Sequence, residues 1–351
     1  MRSMTTRSSA KPICLAAVLL FSAAAANAAG SSNPPLQTPF FPSFLQDDNA
    51  SDYRPVVNAN GTAVIFERTS KDTPKVTKLC IGNFVAQTVS KFIDVESERA
   101  DWCWLRSGGS LIVGPVVFST DSGVYRVDPG STTAQLLPGT GGMVYPSWYP
   151  DCQSIAVDVT ANSQINASQV TAQINATSGQ IIIPVLANTF VWAGFPSVNQ
   201  VNPRVVAFAG QFKGQSNYYD QDLNYIWVTN RTFGFPIVTP MDRRAPPGPG
   251  FFQQFQARAG WWSPDGKWFA FETNRICNDL GGGTYAIFIQ DAAGLKPAMQ
   301  VTSCDWNAQH PKWFPPGSTG DKVVLIAAVA KANENQFHIA TIDVTAFVSG
   351  H

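Results

Sequence analysis

The chain has 351 residues and carries 24 Lys plus Arg against 24 Asp plus Glu, so its formal charge is zero. No long basic run stands in it, and phosphate neutralisation requires clustered Lys and Arg, so nucleic acid is excluded as the expected partner. Charged residues make up only 14% while Gly, Pro and aromatics are abundant, which argues for an all-β domain over a helical or disordered one.

Residues 1–28 read as a secretory signal peptide. Arg2, Arg7 and Lys11 stand without an acid, an apolar run covers 13–21, and small residues lead to a cleavage site after Ala26-Asn27-Ala28. The run is too short to span a membrane, and no later stretch is long and apolar enough to do so. Cys14 stands at the start of the apolar run and not after it, unlike a lipoprotein acylation site. A periplasmic or secreted protein is therefore expected after cleavage near Ala28, about three charges negative once the three basic residues are gone.

Residues 29–52, with Pro34, Pro35, Pro39 and Pro42, read as an extended N-terminal leader. The remainder, 53–351, reads as one domain built from a recurring unit. Its clearest copy is Trp261-Trp262-Ser263-Pro264-Asp265-Gly266-Lys267-Trp268-Phe269. Pro264 fixes φ at the first corner of a tight turn, Asp265 can bond its own backbone and Gly266 accepts a positive φ, so two aromatic strands meet in a hairpin. Aligned on Trp262 and on the apolar residue seven places later, the unit recurs at 55–66, at 104–113 on Trp104, at 146–157 on Trp148, weakly at 196–208, and at 311–326 on Trp313 with extra turn residues. Self-similarity at a period of about 40–50 residues marks a propeller or an array.

The pattern Pro-x-Trp-Ser-Pro-Asp-Gly-Lys is similar to the PD40 (WD40-like) repeat of TolB-type β-propellers, also found in the propeller of prolyl-oligopeptidase-like peptidases. The resemblance is close over 261–275, moderate in the first, third and sixth units, and limited to spacing and hydrophobicity in the others. It implies an all-β, six-bladed β-propeller of four-stranded antiparallel blades, with Trp104, Trp148, Trp262, Pro264, Asp265, Gly266 and Trp313 as its structural residues. Short, evenly spaced strands with turn signals point the same way, because radial repetition leaves only short edges. Outer strands are expected at 78–84 and 88–93, 123–128 and 135–137, 169–175 and 180–186, 225–229, 285–290 with 300–302, and 337–342. The last unit offers about three strands, and two alternatives stay open: 40–45 or 346–349 completes the blade, or the N-terminal segment is a mobile arm.

Five cysteines remain in the mature chain, and in an oxidising compartment disulfides are the favoured reading. Cys277 follows a second strand and Cys304 precedes the next first strand, which puts both at one rim and makes them the leading pair. Cys80 with Cys103 is the weaker second pairing, with Cys152 left over. No Cys-x-x-Cys spacing exists for a structural zinc, and no cofactor or metal is expected.

Chemistry is sparsely signalled, and no catalytic residue is assigned. His310, His338 and His351 are the whole histidine supply, with His310 read as a loop residue and His338 as part of a strand. There is no nucleophile elbow, and the chain has no room for an α/β-hydrolase domain. Gly281-Gly282-Gly283 lacks the helix and Lys that a phosphate cradle needs.

Departures from the repeat are more informative, since connecting loops carry variation and function. The longest interval between units contains two long loops, 211–224 and 240–258, which share a rim because second-to-third and fourth-to-first connections emerge on the same face. Tyr218, Tyr219, Asp220, Asp222, Arg243, Arg244, Phe251 and Phe252 stand in them, a composition that suits protein binding. Two alternatives stay open: the aspartates are simply solvated, and the phenylalanines fold back on their blade. The leading functional reading is an exported, non-enzymatic envelope protein that binds a protein or peptide on this rim. The other is an exported propeller lyase or hydrolase acting on polysaccharide. A channel lined by converging ionisable groups favours the enzyme; amides and hydroxyls favour the binder.

Overall fold

The computed structural model describes residues 33–159, 170–185, 190–212, 225–230, 237–240, 257–274, 276–277, 283–293 and 297–349. Among them, 23 strands form six antiparallel sheets, which are the six blades of a TolB-like β-propeller. The first blade is β1 (Ala50–Val57), β2 (Ala63–Ser70), β3 (Thr77–Asn83) and β4 (Thr88–Glu96); the second is β5 (Glu98–Ser107), β6 (Ser110–Thr120), β7 (Gly123–Val127) and β8 (Gln135–Leu136). The third is β9 (Met143–Trp148), β10 (Ser154–Val159), β11 (Val170–Asn175) and β12 (Ile181–Val185); the fourth is β13 (Phe190–Val198), β14 (Val205–Phe212), β15 (Tyr225–Asn230) and β16 (Ile237–Pro240). The fifth is β17 (Ala257–Trp262), β18 (Trp268–Thr273), β19 (Ala286–Asp291) and β20 (Met299–Gln300), and the sixth has only β21 (Trp306–Trp313), β22 (Val324–Lys331) and β23 (His338–Asp343), followed by α1 (Thr345–Ser349).

Strands such as β10 are buried along their whole length because both faces pack against a neighbouring blade. Each junction has its own cluster. Val56 and Ile65 meet Val116 and Phe118 between the first two blades, and Val117 and Val124 meet Trp148 and Ile155 at the next. Ala156 meets Val206, Ala207 meets Trp262 and Phe269, and Ile289 meets Leu325 at the following three. Phe314 and Ile326 finally meet Val57, Val64 and Phe66, so the last blade packs on the first and the ring closes. Each large apolar side chain taken from water there contributes roughly 1.5–3 kcal/mol.

The fourth-strand position of the sixth blade is met from the N-terminal side. Phe40 and Thr341 exchange backbone hydrogen bonds of 2.8 Å each way, and Gln37 donates to the Val301 carbonyl at 2.7 Å. Residues 345–349, the other sequence candidate, form α1. Leu45 is fully buried in the cluster between the sixth and first blades, and Gln46 Nε2 donates to the carbonyl of Ile339 at 3.4 Å. The segment therefore bridges the last blade to the first.

Every innermost strand carries the same irregularity. Arg54, Arg99, Tyr145, Phe195, Ala259 and His310 have positive φ, between 45° and 62°, and each lies within a register shift of its strand. An extra residue left out of the ladder is a β-bulge, and it re-aims the side chains around it. The next residue is Pro55, Ala100, Pro146, Pro196, Gly260 or Pro311. A bulged position needs no ladder donor, so Pro fits there, which explains the Pro of the repeat. His310 thus belongs to β21 and not to a loop, contrary to the sequence reading.

Three places after the bulge stand Val57, Trp102, Trp148, Val198, Trp262 and Trp313. In the second blade the register of the repeat Trp therefore belongs to Trp102, because β5 has a further irregularity between Trp102 and Trp104. Trp104 still supplies the inter-blade bond: its Nε1 donates to Val57 O at 2.9 Å, as Trp262 does to Ser197 O at 3.0 Å and Trp313 to Trp261 O at 2.9 Å.

Among the described residues two disulfides are present, Cys277–Cys304 and Cys103–Cys152. The leading pair stands, and the second pairing is corrected: Cys80 is the free thiol. Cys80 lies on β3, third from the axis, whereas Cys103 lies on the innermost β5, within reach of the turn between β9 and β10 that carries Cys152. Gly114 leaves the room this requires, since a Cβ there would come within 3.2 Å of Cys152 Sγ and 2.9 Å of Cys103 O.

Candidate functional site

The six bulges face the axis and build a cavity of about 60 Å³, walled by Arg54, Arg99, Tyr145, Phe195, Trp261 and Lys312, with His310 beside them. Each innermost strand begins at the rim where fourth-to-first connections arrive. Below the cavity, around Asp101, Trp102, Trp104 and Lys312, a second space measures only about 20 Å³. The opposite end is crossed by the β5–β6 hairpin, whose Arg106 Nη2 donates to the carbonyl of Pro264 in the facing blade at 2.7 Å. Among the described residues this crossing covers one end of the channel, which makes the cavity a cup.

Carboxylates behind the wall hold the bulges in place. Glu67 accepts Arg54 Nη1 at 2.6 Å and the backbone N–H of Arg99 in the next blade at 2.5 Å. Glu272 repeats the device, accepting Arg258 Nε at 2.8 Å and the N–H of His310 in the next blade at 2.5 Å. A bulge takes an N–H out of the ladder, and a buried N–H needs an acceptor, so the carboxylate from the preceding blade completes the fold as well as the charge pair. One layer lower, Asp101 accepts the N–H of Trp148 at 2.8 Å and Ser147 Oγ that of Val198 at 3.4 Å.

Asp158 occupies in the third blade the place of Glu67 and Glu272, one strand pair before the bulge. Its side chain is one methylene shorter and Oδ1 has no hydrogen-bond partner. Burial pushes its carboxyl up to about 8, against the pull of Arg99. Burial likewise lowers Lys312 to about 7, while Asp101, 3.5 Å away, holds it back from going further; Asp101 itself is raised, again by burial. For this pair desolvation outweighs mutual attraction on both sides. His310 is driven well below its ordinary value by burial and by Arg54, Arg258, Lys312 and Arg99, so it is neutral and its 3.8 Å approach to Glu272 is no ion pair. Arg99 lies 3.8 Å above the Tyr145 ring, Lys312 lies over Trp261, and Tyr145 packs on Phe195 with centroids 4.2 Å apart.

Tyr218, Tyr219, Asp220, Asp222, Arg243, Arg244, Phe251 and Phe252 lie outside the described residues. The described residues that flank them are Phe212 and Tyr225, and Pro240 and Ala257. The cup residues were not singled out from sequence. A signal existed: Arg54, Tyr145, Phe195 and His310 each immediately precede a repeat Pro. Among the described residues no cluster of His, Cys, Asp and Glu could hold a metal, and no helix is long and apolar enough to cross a membrane.

Fold and site together define a β-propeller with an axial cup. No family model matches the chain, and no curated protein matches it in sequence. Among solved structures it is similar to TolB from Acinetobacter baumannii, at 14% identity and a TM-score of 0.52, over 81% of this chain and 64% of that one. A gluconolactonase from Xanthomonas campestris is similar at 10% identity and a TM-score of 0.53, over 85% and 88% of the two chains. An α-L-arabinofuranosidase from Fusarium graminearum gives 12% identity and 0.50, over 89% and 99%. These likenesses define the fold alone, shared by binding proteins and enzymes.

Proposed function

We propose that the protein is an exported, non-enzymatic binding protein of the cell envelope that captures a protein or peptide on one rim of the propeller, with a tip of the ligand entering the cup. The observation that carries this reading is the cup itself. Its volume of about 60 Å³ admits a side chain or chain end. Sites that enclose a whole small molecule are usually about 300–1,000 Å³. Signal-peptide cleavage near Ala28 and the two disulfides support export. The test is capture from envelope extract by the mature protein, wild type against a variant with Tyr219, Arg243 and Phe252 replaced together. Lost capture with an unchanged β circular-dichroism signal is expected, and unchanged capture contradicts the reading.

A second reading has its own observation. The cup is lined by Arg54, Arg99, Lys312 and His310, and not by amides and hydroxyls, and clustered perturbed groups are a mark of enzymes. A neutral His310 and a Lys312 near neutrality beside two arginines suit proton abstraction from an anionic sugar better than glycoside hydrolysis. Hydrolysis needs two carboxyl groups facing the substrate, and none of the described carboxylates lines the cavity. Release of unsaturated products from uronate polymers, detected by ultraviolet absorbance, would support this reading over capture.

A further inference from the structure

We propose that the cup is a carboxylate-binding site, in which a ligand carboxylate on a slender apolar stem sits between the guanidinium groups of Arg54 and Arg99 and the ammonium of Lys312. This inference rests on the binding reading above and names the chemistry of the tip. Two guanidinium groups and the amine of Lys312, which a bound carboxylate would keep protonated, wall one small cavity, while Glu67, Glu272 and Asp101 are buried behind the wall or beneath the floor. The positive field reaches the cavity, since Arg54, Arg258, Lys312 and Arg99 together help to keep His310 neutral. The remaining wall is Tyr145, Phe195 and Trp261, which suits an apolar stem and a planar head. Arg forks match a carboxylate bidentately, and a site with little water strengthens that contact. The space of about 60 Å³ fits such a head and little more. Other titratable groups near this site are Asp158 by Arg99, Tyr53 beside His310, and Arg258 against Phe195.

The test uses the whole mature chain and three probes: butyrate, butyramide and inorganic phosphate, titrated calorimetrically at low and moderate salt. Saturable butyrate binding is expected, weakened by salt, with butyramide and phosphate each at least about tenfold weaker. Arg99→Gln should weaken butyrate binding about tenfold or more and Arg99→Lys should restore part of it. Equal binding of acid and amide, or preference for phosphate, overturns the proposal on the wild-type protein alone, whatever the variants do. Partner capture that survives such a result leaves the rim reading standing without the carboxylate. Butyrate binding in a protein whose capture ignores the rim substitutions sinks the rim reading instead.

Discussion

Arg106 in the second blade reaches the carbonyl of Pro264 in the fifth at 2.7 Å, across the full width of the ring. The two blades face each other, so this single bond fastens the β5–β6 hairpin over one end of the axis. Arg106→Ala should cost about 1 kcal/mol, the scale of one net hydrogen bond, and should speed amide exchange in residues 104–111 without touching the proposed rim. Denaturant unfolding and hydrogen exchange check both parts.

Glu272 is fully buried and serves Arg258 and the His310 N–H together. Glu272→Ala leaves a buried guanidinium and a buried N–H unanswered, so a loss of about 3–5 kcal/mol is expected. Glu272→Gln keeps an acceptor for the N–H and should lose less. Equal losses in the two variants would show that the charge alone matters.

Asp158 predicts a pH dependence. Its folded value of about 8 lies above the unfolded 3.8, so the folded state holds the extra proton between these limits. That contribution to stability is complete below pH 4 and is lost as pH rises toward 8. Asp158→Asn should therefore be more thermally stable than wild type at pH 8, with the gap closing toward pH 4. Lys312 works in the opposite sense over a different window: lowered from 10.5 to about 7, it makes stability rise between pH 7 and 10.5. A gap between Asp158→Asn and wild type that is constant from pH 4 to 8 contradicts the assignment.

Cys80 is the free thiol, half-buried and pushed up by burial. The mature protein, denatured without reductant, should release one thiol equivalent to Ellman's reagent, and Cys80→Ser should release none. Removing Cys277–Cys304, which closes 27 residues, should cost about 2–4 kcal/mol.

Leu45 is fully buried where the N-terminal segment joins the sixth blade to the first. Leu45→Ala should cost about 2–5 kcal/mol. Faster exchange should concentrate in β1 and β23, the strands flanking the seam.

The ring was legible because its signals are local. Pro264-Asp265-Gly266 specifies a turn, and apolar runs between turns specify strands buried on both faces, so the expected outer strands coincide with β3, β4, β7 and β8 to within a few residues. The Cys277–Cys304 pair followed from placing both residues at one rim; Cys103–Cys152 did not, because it joins an innermost strand to the next blade's turn and depends on the missing side chain of Gly114. The second unit reads from sequence on Trp104, whereas its repeat register belongs to Trp102, because the extra irregularity in β5 has no local sequence mark. The cup was missed for a geometric reason. Its residues are 45 to 64 places apart in successive blades and come together only when a bulge turns each toward the axis. Read singly, Arg54 or Lys312 is an ordinary charge in a strand.

A photo-crosslinking amino acid placed at Tyr219 or at Leu105 tests the proposed rim most directly, since Tyr219 is the residue proposed to meet the ligand there and Leu105 belongs to the hairpin that closes the other end. Irradiation in intact cells should give a discrete higher-mass adduct from the Tyr219 position and none from Leu105. An adduct formed only from Leu105 would contradict the account.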